Sequence, residues 1–297
     1  MKVGFIGLGN MGGPMCRNII QKSGHEVIVF DLNAAAVERC TALGARAGES
    51  AKLIAGEVDV VMTSLPMPRD VEQVALGPGG IVEGAHEGLV YFDLSTNSPI
   101  MVRSIAERLA PQGIAMLDAP VSGGTVGAEK GTIAIMVGGD RAVFDTHLTL
   151  FESFGANVIH VGDLGAGSIA KIVNNMIAFC NMAAAAEGMM LGEVAGIDAN
   201  VLNQVVRNSS GNSMGFRAVA KKSIAQDWKA SFALDLAYKD MHLALELADE
   251  LGVPLQLSPQ VHNLMRMARG LGYGQEDTVS ITRVYQDTLQ RRIGGSE

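Results

Sequence analysis

Residues Gly7-Leu8-Gly9-Asn10-Met11-Gly12 decide the expected fold of this 297-residue chain. They have the spacing G-x-G-x-x-G, in which glycines permit a tight turn and a close approach of the backbone to a pyrophosphate. A short apolar run, Val3–Ile6, precedes the stretch, and a helical pattern, Met11–Lys22, follows it. Asp31 ends the next β-rich run. This context predicts a dinucleotide-binding loop, although a glycine-rich chain also leaves open an ordinary strand-to-helix turn.

Asp31 favours NAD over NADP. A carboxylate at this position accepts hydrogen bonds from ribose hydroxyls and repels a 2′-phosphate. Leu32 and Asn33 supply no cation for that phosphate, and Arg39 could reach back only from the following helix. NAD is therefore the expected cofactor.

Strand-like and helix-like segments alternate up to about residue 162, which predicts a parallel sheet with helices on both faces. The strand-like runs are Val3–Ile6, Glu26–Phe30, Val58–Thr63, Leu89–Asp93, Ala115–Asp118, Ile133–Val137 and Val158–His160. The helix-like segments among them include Met11–Lys22, Ala34–Leu43 and Pro99–Leu109, and Gly44 stands where a left-handed helix end is expected.

From Gly165 onward the strand signal disappears and helical patterns follow one another. These patterns cover Ile169–Val194, Asp198–Asn208, Arg217–Ala225, Leu234–Leu251, Ser258–Ala268 and Thr278–Arg291. We therefore expect an α/β Rossmann-like dinucleotide-binding domain over residues 1–163 and an all-α C-terminal domain over residues 164–297. A long helix at about 167–195 would link them.

Composition narrows the class of protein. The formal charge of −8 argues against binding to nucleic acid or to an anionic membrane surface. The three cysteines and six histidines are dispersed, so neither a disulfide framework nor a metal site is expected. The apolar stretch Ile172–Ala195 contains asparagines and glutamates and is interpreted as too polar to span a membrane. A cytoplasmic protein is expected.

Two further stretches contain candidate site residues. In the first, residues 118–124 (DAPVSGG), small residues leave backbone N–H groups free to converge on an anion, and Ser122 adds a hydroxyl donor. The plainer alternative is a loop that closes a strand. In the second, Lys171, Asn174 and Asn175 share one helix face, so they either form a polar site or allow the lysine to reach water. A lysine suits hydride transfer, since a hydroxyl proton must be exchanged at the carbinol carbon.

Taken together, the motifs resemble those of the β-hydroxyacid dehydrogenase family, almost from end to end. The matching stretches are GFIGLGNMGGPM (4–15), DLST (93–96), DAPVSGGTVGAEKGT (118–132), GAGSIAKIVNN (165–175) and the pair Lys239-Asp240. On composition alone, that last pair would be an ordinary solvated ion pair.

The resemblance implies a role for each matching residue. Lys171 would be the catalytic acid/base, and Asn175 would help to orient the substrate. The substrate carboxylate would be held by Ser122, Gly123 and Gly124. Further implied positions are Leu65, Pro66 and Thr96 on the nicotinamide side, Lys239 over the cofactor, and Phe232 and Asp240 at the substrate pocket, with contributions near Ser210-Gly211. In such relatives the active site lies in the cleft between the two domains.

The resemblance also implies the reaction. Members interconvert a short β-hydroxy acid and its semialdehyde, here 3-hydroxyisobutyrate, tartronate semialdehyde (2-hydroxy-3-oxopropionate) or 2-(hydroxymethyl)glutarate. A small carboxylate substrate and a homodimer or homotetramer are expected. The 6-phosphogluconate dehydrogenases are longer and bring basic residues, and imine reductases generally lack the lysine that Lys171 matches. A non-catalytic nucleotide-binding module of the same fold is the alternative from another functional class.

Overall fold

A computed structural model describes residues 1–295, and the chain divides into two compact units, Met1–Lys171 and Ile172–Glu297. The division falls inside a single long helix, α9, which spans Ala166–Val194. The expected domain boundary at residues 163 and 164 lies a few residues earlier and stays a prediction.

The first unit contains a nine-stranded sheet. Its strands are β1 (Lys2–Ile6), β2 (Glu26–Phe30), β3 (Arg46–Ala47), β4 (Val60–Thr63), β5 (Val90–Asp93), β6 (Ala115–Asp118), β7 (Val121–Ser122), β8 (Ile133–Gly138) and β9 (Gly155–Gly162). The first six are parallel and lie in the order β3-β2-β1-β4-β5-β6. This is the order of a dinucleotide-binding fold, and it reverses direction between β1 and β4.

The prediction of a parallel sheet is right for these six strands and incomplete for the remaining edge. Strand β8 runs antiparallel to both β6 and β7, whereas β9 is parallel to β8. Only residues 123–132 connect β7 to β8. A parallel crossover needs a dozen residues or more, so this short connection turns the chain back beside itself.

Helices cover the sheet on both faces, as expected. They are α1 (Gly12–Lys22), α2 (Ala34–Thr41), α3 (Ala51–Ala55), α4 (Pro68–Leu76), α5 (Ile81–Gly84), α6 (Pro99–Leu109), α7 (Gly124–Lys130) and α8 (Arg141–Glu152), with a 3₁₀ turn at Ala110–Gln112. Two hydrophobic cores result. One contains Phe92 and Phe151, and the other contains Tyr91 and Ile105, in agreement with the alternation of side chains along β5.

The second unit is helical, with one isolated β-bridge between Ala233 and Asp277 among its described residues. After α9 come α10 (Ala199–Arg207), α11 (Met214–Ala225), α12 (Leu234–Glu250), α13 (Ser258–Gly270) and α14 (Ile281–Leu289), with a 3₁₀ turn at Thr278–Ser280. The expected Rossmann-like domain and all-α part are therefore both confirmed.

The helix α9 is long and apolar enough to cross a membrane, with a mean hydropathy of 1.3 over an 18-residue stretch. The interpretation that this stretch is too polar to cross a membrane is thus not supported by composition. Core helices of soluble proteins can have the same length and apolar composition. Phe179, Ala186 and Met189 of α9 are buried in the core of the helical unit, which accounts for their apolar character.

Candidate active site

The glycine loop follows β1 at the carboxyl edge of the sheet, next to the point where the strand order reverses. Gly7 has φ +94°, a conformation that favours glycine. A Cβ on Gly12 would lie 1.9 Å from the carbonyl oxygen of Gly7, so a side chain is impossible there. A Cβ on Gly9 would meet no atom within 4 Å. Neither φ nor packing requires a glycine at position 9. The open space there fits the close approach of a pyrophosphate.

The N-terminus of α1 is open to an anion. Met11 precedes the helix and no side chain caps it, and its first turn contains no acidic residue. Asn10 is exposed beside it. Uncapped N–H groups and the helix dipole together favour a bound phosphate.

Asp31 is brought directly onto the glycine loop. Its carboxylate accepts hydrogen bonds from the backbone N–H of Leu8 (2.5 Å) and of Asn33 (2.7 Å). Leu32 is 96% exposed beside it, and Arg39 is exposed on α2. An ionised carboxylate has further acceptor capacity, so Asp31 can still bind a ribose hydroxyl.

Leu65 and Pro66 follow β4, and Thr96 follows β5, so all three lie at the same edge of the sheet. The backbone N–H of Leu65 donates to Ser95 Oγ (2.9 Å), which ties the two loops together. Ser95 was not predicted as a site residue. Its hydrogen bond to Leu65 joins positions 30 residues apart, so the local sequence around either residue does not indicate it.

The buried carboxylate of Asp93 binds the residues at the start of both loops. Asp93 accepts hydrogen bonds from Thr63 Oγ1, the Ser95 N–H and Asn97 Nδ2, each at 3.0 Å. Burial raises the pKa of Asp93, and these hydrogen bonds oppose that rise. Asp93 therefore holds the ends of β4 and β5 at a fixed distance from each other.

The predicted carboxylate-binding loop joins β7 to α7. Gly123 has φ +142° and Gly124 has φ +64°, values that favour glycine. Ser122 ends β7 and is half-buried, and no side chain caps the start of α7. A Cβ on Gly124 would meet no atom within 4 Å. The start of α7 is thus uncapped, and the space beside Gly124 is open.

Lys171 is buried, at 8% exposure, in the second turn of α9. The start of this helix is held by Asp118, whose carboxylate accepts from the N–H groups of Gly165 (2.8 Å) and Ser168 (2.6 Å). Burial raises the pKa of Asp118, opposed by these backbone hydrogen bonds. A Cβ on Gly167 would lie 2.4 Å from the Met136 carbonyl oxygen, so α9 begins in tight contact with the sheet.

In the helical unit, the structure groups Asn175, Asp240 and Lys239. Asn175 Nδ2 donates to Asp240 Oδ2 (2.7 Å), and Lys239 Nζ lies 3.2 Å from Asp240 Oδ1. The contact between Lys239 and Asp240 is therefore an ion pair and not a hydrogen bond, since Asp240 Oδ1 accepts no hydrogen bond. Asn174 Nδ2 donates to Asn175 Oδ1 (3.0 Å). With Asp240 only 1% exposed, the pair Lys239-Asp240 is not the solvated pair that composition suggested.

Phe232 lies against Phe179, with ring centroids 6.2 Å apart and planes at 11°. Phe232 is 37% exposed, whereas Phe179 is 3% exposed on α9, one turn beyond Asn175. Phe179 was not predicted, although its spacing from Asn175 places both on one helix face. Ser210 and Gly211 lie in the exposed turn after α10, and their contribution to the pocket stays a prediction.

No group of three or more potential metal ligands occurs among residues 1–295.

Comparison with known proteins identifies the family. Residues 2–162 match the protein-family model described as the NAD binding domain of 6-phosphogluconate dehydrogenase. Residues 165–285 match the family model described as NAD-binding of NADP-dependent 3-hydroxyisobutyrate dehydrogenase. A 2-(hydroxymethyl)glutarate dehydrogenase from Eubacterium barkeri is 40% identical over 100% of this chain and 99% of that protein. The chain belongs to the β-hydroxyacid dehydrogenase family. As a β-hydroxyacid dehydrogenase it is an NAD(P)-dependent oxidoreductase acting on small hydroxy acids.

Two further relatives of this β-hydroxyacid dehydrogenase show the breadth of the family. An NAD-dependent L-serine dehydrogenase from Pseudomonas aeruginosa is 35% identical over 97% of this chain and 98% of that protein. The crystal structure of 3-hydroxyisobutyrate dehydrogenase from Salmonella typhimurium superposes with a TM-score of 0.87 at 33% identity, covering 96% of this chain and 99% of that one.

Proposed function

We propose that this protein reversibly oxidises a short β-hydroxy acid to its semialdehyde, with Lys171 as the general acid/base. The observation that carries the proposal is the placement of Lys171. A lysine with 8% exposure lies in the second turn of α9, and buried hydrogen bonds to Asp118 fix the start of that helix. A structural lysine so close to a helix start would more often extend to water.

Substrate orientation begins at the carboxylate. We assign its binding to Ser122, Gly123 and Gly124, because Ser122 supplies a hydroxyl donor, the start of α7 is uncapped and the space beside Gly124 is open. The overall charge of −8 makes such local donors necessary for an anionic substrate.

Proton transfer is assigned to Lys171. In the oxidative direction its neutral amine would accept the hydroxyl proton, and in reverse its ammonium would return it. Asn175, one turn along α9, would orient the substrate, and its hydrogen bond to Asp240 fixes its amide. The bound dinucleotide would supply the hydride acceptor at C4 of its nicotinamide.

The dinucleotide would be held by the glycine loop, namely Gly7, Leu8, Gly9, Asn10, Met11 and Gly12. Leu65, Pro66 and Thr96 would line the nicotinamide side, with Lys239 as a further contact. Asp31 supports a preference for NAD, since its carboxylate would repel a 2′-phosphate and Leu32 offers no cation.

Three substrates are proposed: 3-hydroxyisobutyrate, tartronate semialdehyde and 2-(hydroxymethyl)glutarate. Family relatives bear the corresponding enzyme names. Phe232 and Asp240 would border the substrate. The exposed ring of Phe232 packs on Phe179. It would favour a substrate whose substituent at this wall is apolar over one that places a hydroxyl group there.

The test is a panel of β-hydroxy acids and semialdehydes assayed in both directions with NAD and with NADP, following the absorbance of the reduced cofactor. We expect turnover with at least one of the three substrates and a higher kcat/KM with NAD. Measurable cofactor binding without turnover on any substrate would contradict the proposal and favour the nucleotide-binding module.

We also propose that the protein is cytoplasmic and forms a homodimer or homotetramer through its helical unit. Large apolar side chains are exposed along the helical unit from α9 through α10, including Leu191 (72%), Val201 (53%) and Val205 (56%). Exposed apolar surface of this kind is typical of association sites. Sedimentation equilibrium would contradict the proposal if the protein were monomeric at micromolar concentration.

A further inference from the structure

The segment that carries Phe232, residues 227–233, has no helix or strand of its own. It lies between α11 and α12 and begins after Gln226, a residue with φ +48°. An irregular segment keeps one conformation only if other elements bind its backbone. Neighbouring elements must therefore hold Phe232 against Phe179.

One buried carboxylate, that of Asp277, accepts two hydrogen bonds from this segment and a third from Lys222. Asp277 Oδ2 accepts from the Ser231 N–H (2.8 Å), Ser231 Oγ (2.6 Å) and Lys222 Nζ (2.8 Å). Lys222 Nζ also donates to the carbonyl oxygen of Lys229. We call Asp277, Lys222 and Ser231 the Asp277 cluster. Its ion pair is shielded from water, with side-chain exposures of 17% for Lys222 and 6% for Asp277.

The backbone around Asp277 holds the same segment. The Asp277 N–H donates to the Trp228 carbonyl oxygen (2.9 Å). Both the N–H and Oγ1 of Thr278 donate to the Phe232 carbonyl oxygen, each at 2.9 Å. Phe232 is therefore bound on its backbone side by Thr278 and on its ring side by Phe179.

The charge state of Asp277 agrees with this arrangement. Burial alone would raise the pKa of Asp277, but the hydrogen bonds from Lys222 and Ser231 lower it below its ordinary value. The carboxylate is thus ionised at neutral pH, when its hydrogen bonds to the segment are strongest.

We propose that Asp277, supported by Lys222, is a positioning residue for the substrate pocket: it fixes residues 227–233 so that Phe232 forms one wall of that pocket. The inference rests on the proposed function, in which Phe232 borders the substrate. The ligand class concerned is a β-hydroxy acid with an apolar substituent, because a phenyl ring discriminates by apolar contact.

The test compares Asp277→Asn and Lys222→Met with Asp287→Asn. The asparagine keeps one acceptor oxygen and turns an amide toward donors, and the methionine removes the cation while keeping an apolar stem. Asp287 is an exposed carboxylate of the same unit that binds the Tyr273 hydroxyl, so it is a matched control. We expect KM for the hydroxy acid to rise about tenfold in Asp277→Asn and less in Lys222→Met, with KM for NAD unchanged.

A double substitution separates positioning from general destabilisation. If Asp277 acts through Phe232, then adding Asp277→Asn to Phe232→Ala should raise KM little further, because the wall is already gone. A general loss of stability would instead add to the effect of Phe232→Ala.

Trp228, the single tryptophan, lies within the segment and reports on it directly. We expect stronger acrylamide quenching of Trp228 in Asp277→Asn than in Asp287→Asn. Equal quenching and equal KM in the two variants would overturn the proposal. Wild-type protein inactive on every hydroxy acid would overturn the proposed function, and the quenching comparison would still decide whether Asp277 fixes the segment.

Discussion

At the scale of single residues, Lys171 gives the most direct prediction. We expect Lys171→Ala to lower kcat by a factor of about 10²–10⁴, the usual contribution of a positioned acid/base. The Kd for NAD should not change, because no residue of the glycine loop is altered. Stopped-flow turnover and calorimetric cofactor binding measure the two quantities.

Lys22→Ala is the matched control, since Lys22 is an exposed lysine at the end of α1. It should behave as wild type in both measurements. Near-normal kcat in Lys171→Ala would remove Lys171 from the reaction.

Asp31 gives the second prediction at this scale. We expect Asp31→Asn to raise the ratio of kcat/KM for NADP to that for NAD about tenfold, equivalent to about 1.4 kcal/mol, because a repulsive charge is removed. The asparagine retains one of the two oxygens that hold Leu8 and Asn33, so the loop remains partly supported. Glu38→Gln, on the exposed side of α2, should leave the ratio unchanged, and an unchanged ratio in Asp31→Asn as well would place the selectivity elsewhere.

Residues whose chemistry is local could be predicted from the sequence, and residues that act through distant partners could not. The glycine loop and Asp31 form one recognisable pattern. Asp93 supports Thr63 from another strand, and Asp118 binds an N–H at residue 165. Such pairings depend on sheet order, which spacing along the chain does not contain.

At the scale of elements, the start of α9 determines where Lys171 lies. We expect Asp118→Asn to lower the free energy of unfolding by about 1–3 kcal/mol, since one of two buried N–H groups loses its acceptor. It should also lower kcat, because the first turns of α9 are no longer fixed. Chemical denaturation and steady-state kinetics measure both effects.

Asp140→Asn is the corresponding control at another helix start. Asp140 caps α8 by accepting from the Val143 N–H, and α8 carries no proposed site residue. We expect a loss of at most about 1 kcal/mol there and no change in kcat. If both variants lost activity equally, the role of Asp118 in positioning Lys171 would be refuted.

The same helix shows how far element boundaries follow from local sequence. Strands Glu26–Phe30 and Ala115–Asp118 and helix Pro99–Leu109 were predicted with the bounds observed, because apolar spacing and turn residues mark both ends. Helix α9 begins at Ala166, next to the expected start of the linking helix at about residue 167. The helical pattern itself begins only at Ile169, because Asp118 supplies the first acceptors of α9 from another strand. The two-residue strands β3 and β7 were missed, since two residues show no period.

At the scale of the whole molecule, the helical unit contains a histidine that should make its stability depend on pH. His262 is buried between Tyr238, with ring centroids 4.2 Å apart, and His242, at 5.6 Å. Burial lowers the pKa of His262 to about 4, helped by the positive charges of His242, Arg266 and Arg269. In the unfolded chain His262 binds a proton as the pH falls below about 6.5, whereas in the folded unit it stays neutral until about pH 4. The free energy of unfolding therefore falls as the pH drops from about 6.5 towards 4.

We expect His262→Phe, which keeps a stacking ring without a titrating nitrogen, to be less sensitive to pH in this window. Urea unfolding followed by Trp228 emission reports on the helical unit, where that residue lies. His86→Gln, in the sheet unit, should retain the wild-type slope. A slope in His262→Phe equal to that of wild type would show that other groups dominate.

The three glycines of the first loop are not interchangeable, and this has a practical consequence. Gly7 and Gly12 are required by the backbone itself, whereas the space beside Gly9 is empty. We expect Gly9→Ala to fold with the wild-type Tm and to bind NAD far more weakly, because its methyl group would occupy the place of the pyrophosphate. Equal NAD affinity would contradict this expectation. Such a variant would purify free of cellular nucleotide and would serve as a permanent apoprotein, in which ordering by the cofactor can be measured apart from ordering by the chain.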